Sequence, residues 1–478
     1  MILRSIAAMS LLNVAKAAAA LLISVAIASR VAPSEFGLVA FSIPLMAFLT
    51  LLTDLGLSSA IVRHTALDRQ QTGAVVSLLG LAGLGGAALL ALSAGALEHA
   101  LHLPGLTPVL LGFAWITAMS IWATAPRALL ERGLAYPRIA AVEAVALLGG
   151  LAVFAAVLQL QAGVLALVAY HATLQTLRAL LFTRLAWALF ELSLRWRRIA
   201  SLLQVGGWVL ANNLLSFAAR NADRMLIAPV LGATALGLYG LAYQFMTIPL
   251  VLLSWPVSGV LLSALSRLRH DPAGQREVTA AVLTGTATFS LPLMAYLMLL
   301  APQALAQVYA QRWAGLSTLV MLLAPAGMLQ SLAVYCSSVL LEAGRHRLNF
   351  LLGLLWGGGL TVTFVASVSW GLNALTLSFA LVSSAISLLM IVVMCRSAGL
   401  GAGRFARCLL PGGVAALAGS AAGLLVQQQF AGSAHGGLQA LLAGAAFVAA
   451  ALAACALLRG RLLDSGRALV RARLAPST

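Results

Sequence analysis

The chain has 478 residues, of which 62% are hydrophobic and only 9% are charged, with a formal net charge of +17 and a mean hydropathy of +1.01. A soluble protein of this length cannot hide so much apolar surface, because its own surface must be covered by polar groups. Apolar runs of about 20 residues, each long enough to cross a bilayer as a helix, recur from end to end. Since backbone groups in a bilayer must pair within their own segment, the composition predicts an all-α polytopic membrane protein.

The excess of positive charge is carried by arginines and by a single lysine, Lys16. The arginines lie in short clusters between apolar runs and not on one polar domain, which argues against a nucleic-acid partner. Retention of basic residues in the cytoplasmic loops of membrane proteins explains the clusters more simply. No hydrolytic, phosphoryl-transfer or zinc-protease motif occurs, so the sequence predicts no catalytic residues, no metal site and no cofactor.

The apolar runs predict fourteen transmembrane helices. In chain order they span residues 8–29, 38–60, 73–97, 107–126, 139–158, 162–183, 203–231, 237–265, 279–301, 316–340, 348–369, 373–395, 408–427 and 437–458. With this number of crossings nearly all loop arginines fall on one side of the membrane, and only Arg30 and Arg312 fall on the other. The positive-inside rule then predicts that both termini are cytoplasmic.

Two short matches indicate an internal repeat. Shifted by 200 residues, V-A-P-S-E-F-G-L (31–38) lies over L-G-A-T-A-L-G-L (231–238), which puts one glycine of each segment in register. At a shift of 211, L-L-E-R-G (129–133) lies over L-L-E-A-G (340–344). Two parallel six-helix blocks, related by an axis along the membrane normal, explain both matches. Because the first helix has a counterpart in the middle of the chain, we expect it to be mature structure and not a cleaved signal peptide.

The repeat predicts the domain organisation. An N-lobe with helices 1–6 covers residues 1–190, and a cytoplasmic linker covers residues 191–202. A C-lobe with helices 7–12 covers residues 203–396, and helices 13 and 14 with a basic cytoplasmic tail cover residues 397–478. The fold class is therefore two pseudo-symmetric lobes followed by a helix pair.

Ionisable groups at membrane depth are the candidate functional residues, since they are costly there and usually face a wet cavity or each other. Predicted helix 7 carries Arg220, Asp223 and Arg224, and the two arginines, four residues apart, share one face. Lys16 in helix 1 corresponds, at the 200-residue shift, to Ser216, one turn from Arg220. We predict that Lys16, Arg220 and Arg224 form a cationic cluster for a pyrophosphate or another anion, because guanidinium groups bind phosphate oxygens bidentately.

The same charges allow a structural interpretation. Asp223 would then neutralise one arginine and tie helix 7 to a neighbouring helix. Arg178 in helix 6 either lines the cavity with the substrate-binding group or pairs across helices. Asp54 in helix 2 and Glu143 in helix 5 have the same two interpretations, and a buried carboxylate can also carry a coupling ion. Coupling to a proton or sodium gradient through these two carboxylates is therefore a hypothesis.

Tryptophans lie mostly near the ends of the predicted helices, for example Trp196, Trp208, Trp313 and Trp370. Interfacial anchoring explains such positions, because the amphipathic indole ring prefers the headgroup level of a bilayer. Trp313, in the run Q-R-W-A-G, has a second interpretation as a platform that stacks on a sugar ring.

Six motifs follow one another along the chain. They are L-x-D-L-G-L-S-S-A-I-V-R (52–63), A-L-L-E-R-G-L-A-Y-P-R (128–138), R-N-A-D-R-M-L-I (220–227), L-G-A-T-A-L-G-L-Y-G-L-A-Y (231–243), L-S-A-L-S-R-L (262–268) and Q-R-W-A-G (311–315). In this order they resemble oligosaccharide flippases of the MOP exporter superfamily. The Wzx-type polysaccharide transporters of the colanic-acid and exopolysaccharide branch are the nearest match.

The resemblance implies a MATE-like fold with two six-helix lobes around a central cavity. It also implies translocation of an undecaprenyl-diphosphate-linked repeat unit from the inner to the outer leaflet by alternating access, for exopolysaccharide, O-antigen or capsule biosynthesis. The expected partners are this glycan, membrane lipids, and polymerase and export proteins of the same pathway. By the same resemblance, cations of the cavity would meet the diphosphate, and Lys16, Arg220 and Arg224 match by type and place.

Two other functions remain open at this point. A drug or cation antiporter would use the same fold; positive charge in the cavity disfavours it, whereas Asp54, Glu143 and Asp223 favour it. A polysaccharide polymerase or O-antigen ligase has similar hydropathy, but such enzymes generally carry a large periplasmic loop. Here the longest connector on the outward side, residues 302–316, has about fifteen residues.

Overall fold

The computed structural model describes residues 12–460, except for 14, 17, 21, 25, 28, 29, 55, 64–66, 161, 162, 194–199, 310, 431–435 and 459. Within these residues the chain is helical and contains no β-strand. Twelve of the described helices are long and apolar enough to cross a membrane, and one of these spans, Arg220–Arg267, is 48 residues long. The predicted all-α polytopic class is confirmed.

The first of two compact units extends from Met1 to Gly240. It contains α1 (residues 12–27, helical at each described position), α2 (Pro33–Asp54), α3 (Leu57–Arg63), α4 (Arg69–Leu101), α5 (Leu106–Arg132), α6 (Tyr136–Gln159), α7 (Gly163–Ala186) and most of α8 (Ala200–Pro249). Helix α5 packs against α4 and α7, and α7 also packs against α6. The hydrophobic core of the first unit contains side chains from α4, α5 and α7, for example Leu79, Ile121 and Phe182.

The second unit extends from Leu241 to Thr478. After a π-helical turn (Leu250–Ser254) it contains α9 (Trp255–Arg267), α10 (Pro272–Leu299), α11 (Ala301–Val308), α12 (Leu316–Ala333), α13 (Tyr335–Glu342), α14 (His346–Ser367), α15 (Leu372–Ser397), α16 (Ala402–Gln429) and α17 (Gly436–Leu457). Helix α12 packs against α10 and α15, and α15 packs against α14. This is the order of contacts that α5, α4, α7 and α6 show in the first unit, so the predicted repeat is visible in the packing.

Helix α8 is broken at Gly232, whose φ of 86° and ψ of 169° are not helical. Glycine adopts such a conformation readily because it has no Cβ. At a shift of 200 residues Gly232 corresponds to Ala32, which lies directly before α2. The two parts of α8 are therefore the counterparts of α1 and α2. Counting them as two crossings and including α1 gives the fourteen helices predicted.

The turns between α5 and α6 and between α13 and α14 correct the second predicted shift. Leu134 in the first turn and Gly344 in the second adopt positive φ values of 53° and 68°. In each turn the next residue, Ala135 or Arg345, donates its N–H to the carbonyl five positions earlier, at 3.0 and 2.8 Å. These residues correspond at a shift of 210, so the predicted shift of 211 was wrong by one residue. Backbone geometry, and not the Leu-Leu-Glu match, sets the register of the repeat.

Helices α2 and α8 cross at Gly37 and Gly237, both within the first unit. A Cβ at Gly37 would lie 1.8 Å from the carbonyl oxygen of Ala233, and a Cβ at Gly237 would lie 1.9 Å from that of Pro33. The contact is reciprocal, because the 200-residue shift maps Pro33 onto Ala233 and Gly37 onto Gly237. Residues related by a two-fold axis meet in this way. The two backbones touch, and a residue with a side chain cannot be accommodated without moving a helix.

The connector after α7 lies against the start of α4. The N–H of Glu191 donates to the carbonyl of Arg69 at 2.9 Å, and the Thr72 hydroxyl donates to the carbonyl of Leu189 at 3.0 Å. Residues 194–199 of the predicted linker lie outside the described residues, as does the predicted basic tail from residue 461 onward.

Trp313 does not fit either predicted interpretation. Its side chain is 2% exposed and packs edge-on against Tyr309, with ring centroids 5.8 Å apart. An indole buried in this way is neither a membrane anchor nor a platform for a sugar, so both interpretations were wrong for Trp313. Trp370 is exposed, in agreement with anchoring, whereas Trp196 and the side chain of Trp208 lie outside what the structure describes.

We expect Gly37→Ala to destabilise the protein by about 1–3 kcal/mol, because the added methyl group must push a backbone oxygen away. Gly85→Ala in α4 is the matched control, since a Cβ there meets no atom within 4 Å. It should leave stability unchanged or raise it by up to about 1 kcal/mol, in line with helix propensity. Denaturant unfolding of the purified proteins in detergent measures both changes, and equal stability of the two variants would contradict the tight crossing.

Candidate functional site

Three basic side chains from three helices surround one buried carboxylate, that of Glu143 in α6. The Nζ atom of Lys16 (α1) lies 2.7 Å from Oε2 of Glu143, and Nη2 of Arg178 (α7) lies 2.5 Å from the same oxygen. Nη1 of Arg127 (α5) lies 3.7 Å from Oε1. The Glu143 side chain is only 2% exposed. We call Lys16, Arg127, Glu143 and Arg178 the Glu143 cluster.

The packing of α6 explains where the carboxylate lies. Ile139, Glu143, Ala146 and Gly150 are all buried and recur at helical spacing, so they form one face of α6. At Gly150 a Cβ would lie 3.1 Å from the ring of Tyr170 in α7, so the absence of a side chain lets the two helices approach closely. Glu143 points into this interface, where Arg178 meets it.

Neighbouring polar groups orient the Arg178 guanidinium. Its Nη1 donates to the Oε1 atom of Gln175, one turn earlier in α7, at 3.2 Å. The amide of Gln175 donates in turn to the hydroxyl of Ser120 in α5 at 3.4 Å. Since such hydrogen bonds hold a long side chain in one geometry, Arg178 is positioned before any ligand arrives.

The cluster carries more positive than negative charge. Arg127 is shared with Glu131, whose Oε1 lies 3.0 Å from Nε of Arg127, so three cations face two carboxylates. Within the described part of the chain, two buried atoms of the cluster, Oε1 of Glu143 and Nε of Arg178, lack a hydrogen-bond partner. Buried polar groups are normally paired, so these two atoms are unusual among the buried polar atoms of the protein.

Access to the cluster differs among its members. The side chains of Lys16 and Arg127 are 36% and 44% exposed and that of Arg178 is 19% exposed, whereas Glu143 is shielded. An approaching anion therefore meets the basic groups first. The arrangement can bind phosphate oxygens through guanidinium and ammonium groups.

The sequence hypothesis placed Lys16 and Arg178 in the substrate site, and the structure brings these two residues together. It missed Arg127, which was assigned to a loop because helix 4 was expected to end at residue 126. The signal was present, because Arg127 and Glu143 lie at similar distances on either side of the turn at Leu134, and a short turn makes such residues face each other.

The other predicted basic residues lie in α8. Arg220 is exposed, Arg224 is half-buried and Asp223 is buried. Oδ1 of Asp223 accepts the backbone N–H of Arg224 at 2.8 Å, a contact within α8. The structural interpretation of Asp223, as a residue that neutralises one arginine and ties its helix to a neighbour, stays a prediction. A joint cluster of Lys16 with Arg220 and Arg224 stays a prediction.

Asp54 lies at the end of α2, beside the break before α3. The Ser58 hydroxyl donates to Oδ2 of Asp54 at 2.7 Å, and the Ser58 N–H donates to Oδ1 at 3.2 Å. Both carboxylate oxygens thus cap the start of α3, as an N-terminal aspartate commonly does. A role of Asp54 in ion coupling stays a prediction.

The fold is that of a polytopic membrane protein built from two helical repeats, the first of which contains the Glu143 cluster. Similarity to known proteins identifies its family. The family described as "Polysaccharide biosynthesis protein" matches residues 27–318, more than half of the chain. The chain therefore belongs to this family of polysaccharide biosynthesis proteins.

Two characterised proteins are similar in sequence. The lipopolysaccharide biosynthesis protein WzxC of Escherichia coli (strain K12) is 22% identical over 320 residues, which cover 66% of this chain and 65% of that protein. The teichuronic acid biosynthesis protein TuaB of Bacillus subtilis (strain 168) is 28% identical over 172 residues, which cover 36% of this chain and 35% of that protein. The chain thus matches less than two thirds of the length of either relative.

Solved structures show the same fold. The lipid II flippase MurJ in an inward closed conformation aligns with a TM-score of 0.70 at 13% identity and covers 95% of this chain and 99% of its own. A point mutant of the Vibrio cholerae MATE transporter VcmN aligns with a TM-score of 0.51 at 13% identity, covering 84% and 97%. The MATE-like fold that the resemblance implied is confirmed.

A double-mutant cycle of Glu143→Gln and Arg178→Gln should give a coupling free energy of about 2 kcal/mol, because each single change leaves a buried charge without its partner. The exposed pair of Arg69 and Glu191, whose charged atoms are 3.8 Å apart, is the control. Its cycle should give less than about 1 kcal/mol. Denaturant unfolding in detergent measures both cycles, and similar couplings would show that the Glu143 cluster is no stronger than a surface pair.

Proposed function

We propose that this protein translocates an undecaprenyl-diphosphate-linked oligosaccharide repeat unit from the inner to the outer leaflet of a bacterial inner membrane, for exopolysaccharide, O-antigen or capsule biosynthesis. The observation that carries the proposal is the excess of positive charge in the Glu143 cluster. Intramembrane charge is costly and is usually kept for a substrate or ion path. A diphosphate needs such a path, because an anion cannot cross hydrocarbon unaided.

The family and fold support this proposal. The family consists of polysaccharide biosynthesis proteins, and a lipid II flippase has the same fold. Lipid-linked sugars combine an anionic headgroup with an apolar tail. A basic site inside the protein suits the headgroup, and the surrounding lipid suits the tail. Polymerase and export proteins of the same pathway are the proposed partners.

The proposed orientation places both termini in the cytoplasm. Arg69 begins α4 and Arg132 ends α5, so the arginine-rich ends of these antiparallel helices lie together. Arg184, near the end of α7, belongs to the same end of the unit. We assign this arginine-rich end to the cytoplasmic side, since basic residues are retained there during insertion.

Glu143 has a role in this proposal as the resident anion of the site. While no substrate is bound, its carboxylate holds the ammonium of Lys16 and the guanidinium of Arg178 in place. An incoming phosphate competes with it for both cations. We also propose that a proton or sodium gradient drives the cycle, with Glu143 as the candidate for coupling, because a carboxylate displaced from its cations can accept a proton or another cation.

A drug or cation antiporter is less consistent with this geometry. A cationic substrate needs a free carboxylate, but the Glu143 carboxylate is already surrounded by Lys16, Arg127 and Arg178. Like charges placed next to the substrate would repel it.

The proposal is tested in a deletion strain of the gene. Lipid-linked glycan should accumulate in the inner leaflet, and the wild-type protein should clear it. We expect Lys16→Ala/Arg178→Ala to fail, because the diphosphate loses two phosphate-binding groups. Export of glycan and exposure of its lipid-linked form to periplasmic enzymes are measured together with the amount of folded protein.

Arg138→Ala is the control for this experiment, since Arg138 is exposed at the start of α6 and outside the Glu143 cluster. Arg220→Ala/Arg224→Ala tests the α8 residues separately. Full export with the Lys16→Ala/Arg178→Ala protein would remove the cluster from the substrate path, and normal leaflet distribution in the deletion strain would refute the function.

Glu143→Gln should strengthen headgroup binding by about tenfold and slow the maximal rate of transport. The amide no longer competes for the cations or repels the phosphate, so the anion binds more tightly and leaves more slowly. Affinity for the lipid-linked diphosphate is measured on folded protein by ligand-induced thermal stabilisation, with Glu191→Gln as the control. Weaker binding by Glu143→Gln would contradict the role of resident anion.

A further inference from the structure

A groove runs between α4, α5 and α7 in the first unit, away from the residues of the Glu143 cluster. Its volume is about 720 Å³, and Gly80, Leu84, Trp122, Leu180 and Arg184 are among its lining residues. This volume is within the range of about 300–1,000 Å³ that is typical of ligand sites. The lining is apolar apart from Thr183 and the Arg184 guanidinium.

Glycine in α4 and an indole in α5 form the base of the groove. A Cβ at Gly80 would lie 2.5 Å from the Trp122 ring, so the ring occupies the space that a side chain on α4 would take. The indole N–H of Trp122 donates to the hydroxyl of Thr183 at 2.9 Å. Because this bond pairs both polar groups with each other, they leave an apolar wall facing the groove.

The groove is open towards the surrounding lipid. Leu84 and Leu180, on its two sides, are 62% and 61% exposed. At its end lie Arg184, which is exposed, and Trp187, which is 60% exposed. An exposed indole beside an arginine at a helix end is the arrangement found at the headgroup level of a bilayer.

We propose that this groove binds an anionic phospholipid of the cytoplasmic leaflet, with one acyl chain along Trp122 and the phosphate at Arg184. Charge complementarity identifies the occupant, because the groove is lined by one cation and by no carboxylate of the described residues. Basic pockets between transmembrane helices on the cytoplasmic side are known to bind anionic headgroups. The leaflet assignment rests on the proposed orientation; the binding itself does not depend on transport.

Occupancy of the groove would affect the substrate site through the helices that form it. Arg127 follows Trp122 in α5 by five residues, and Arg178 precedes Leu180 in α7 by two. A lipid that bridges α5 and α7 therefore stabilises the spacing of two helices that contribute to the Glu143 cluster.

Native mass spectrometry of the full-length protein tests the proposal. The protein is released from nanodiscs of equal phosphatidylglycerol and phosphatidylethanolamine, and the retained lipids are counted. We expect the wild type to retain phosphatidylglycerol preferentially and Arg184→Gln to lower this preference about fivefold, the effect of one arginine near an anionic lipid. Arg184→Lys should keep most of the preference, because it retains the charge.

Arg138→Gln is the control, since it removes an exposed arginine at the same end of the unit without touching the groove. Gly80→Leu should lower retention of both lipids by filling the groove, and its unfolding midpoint shows whether the protein remains folded. Lack of a preference in the wild type, or an equal loss with Arg138→Gln and Arg184→Gln, would overturn the proposal. A normal leaflet distribution of lipid-linked glycan in the deletion strain, together with an intact lipid preference of the purified protein, would instead count against the proposed function alone.

Discussion

Burial of the Glu143 carboxylate among basic side chains is the constraint on which the first unit depends. A lone carboxylate at membrane depth is strongly disfavoured, and so is a lone ammonium or guanidinium. The charges are tolerated because Lys16 and Arg178 bond one carboxylate oxygen and Arg127 lies near the other. Helices α1, α5, α6 and α7 are therefore held in one arrangement by a single acidic residue. An ion pair of this kind specifies geometry more than it adds stability.

The residues of the Glu143 cluster are not repeated at the equivalent positions of the second repeat. At the shift of 210 set by the turns, Glu143 corresponds to Gly353 and Arg127 to Ser337. In the second unit the equivalent helices α12 and α15 are joined through neutral groups, by the bond of 2.6 Å from the Gln330 amide to the Ser383 hydroxyl. The first unit has a bond of the same type from Gln175 to Ser120, with the amide and the hydroxyl on the opposite helices. One scaffold thus occurs twice, and among the described residues the charged cluster is found in one copy.

Small residues make this packing possible. Gly37 and Gly237 let two backbones touch, and Gly150 admits the Tyr170 ring. In a membrane the hydrophobic effect does not drive helices together, so close approach through small residues and interhelical hydrogen bonds replaces it. A few glycines at helix crossings therefore determine how closely these helices pack. The groove at Gly80 differs from these crossings, because there the Trp122 ring takes the place of a side chain on α4 and an apolar surface stays exposed.

Hydropathy and arginine spacing determined the helix number and the all-α class, because a bilayer permits few solutions for an apolar backbone. Two short sequence matches indicated the repeat. The sequence also identified Lys16, Arg178 and Glu143 as residues too costly to be in the membrane without a reason. It did not determine which charge meets which. Partners such as Lys16 and Glu143 are far apart in the chain, and their meeting depends on the rotation of helices about their axes. Packing between helices, through close contacts at glycines and hydrogen bonds between polar side chains, fixes that rotation. It can therefore be read only from the tertiary structure.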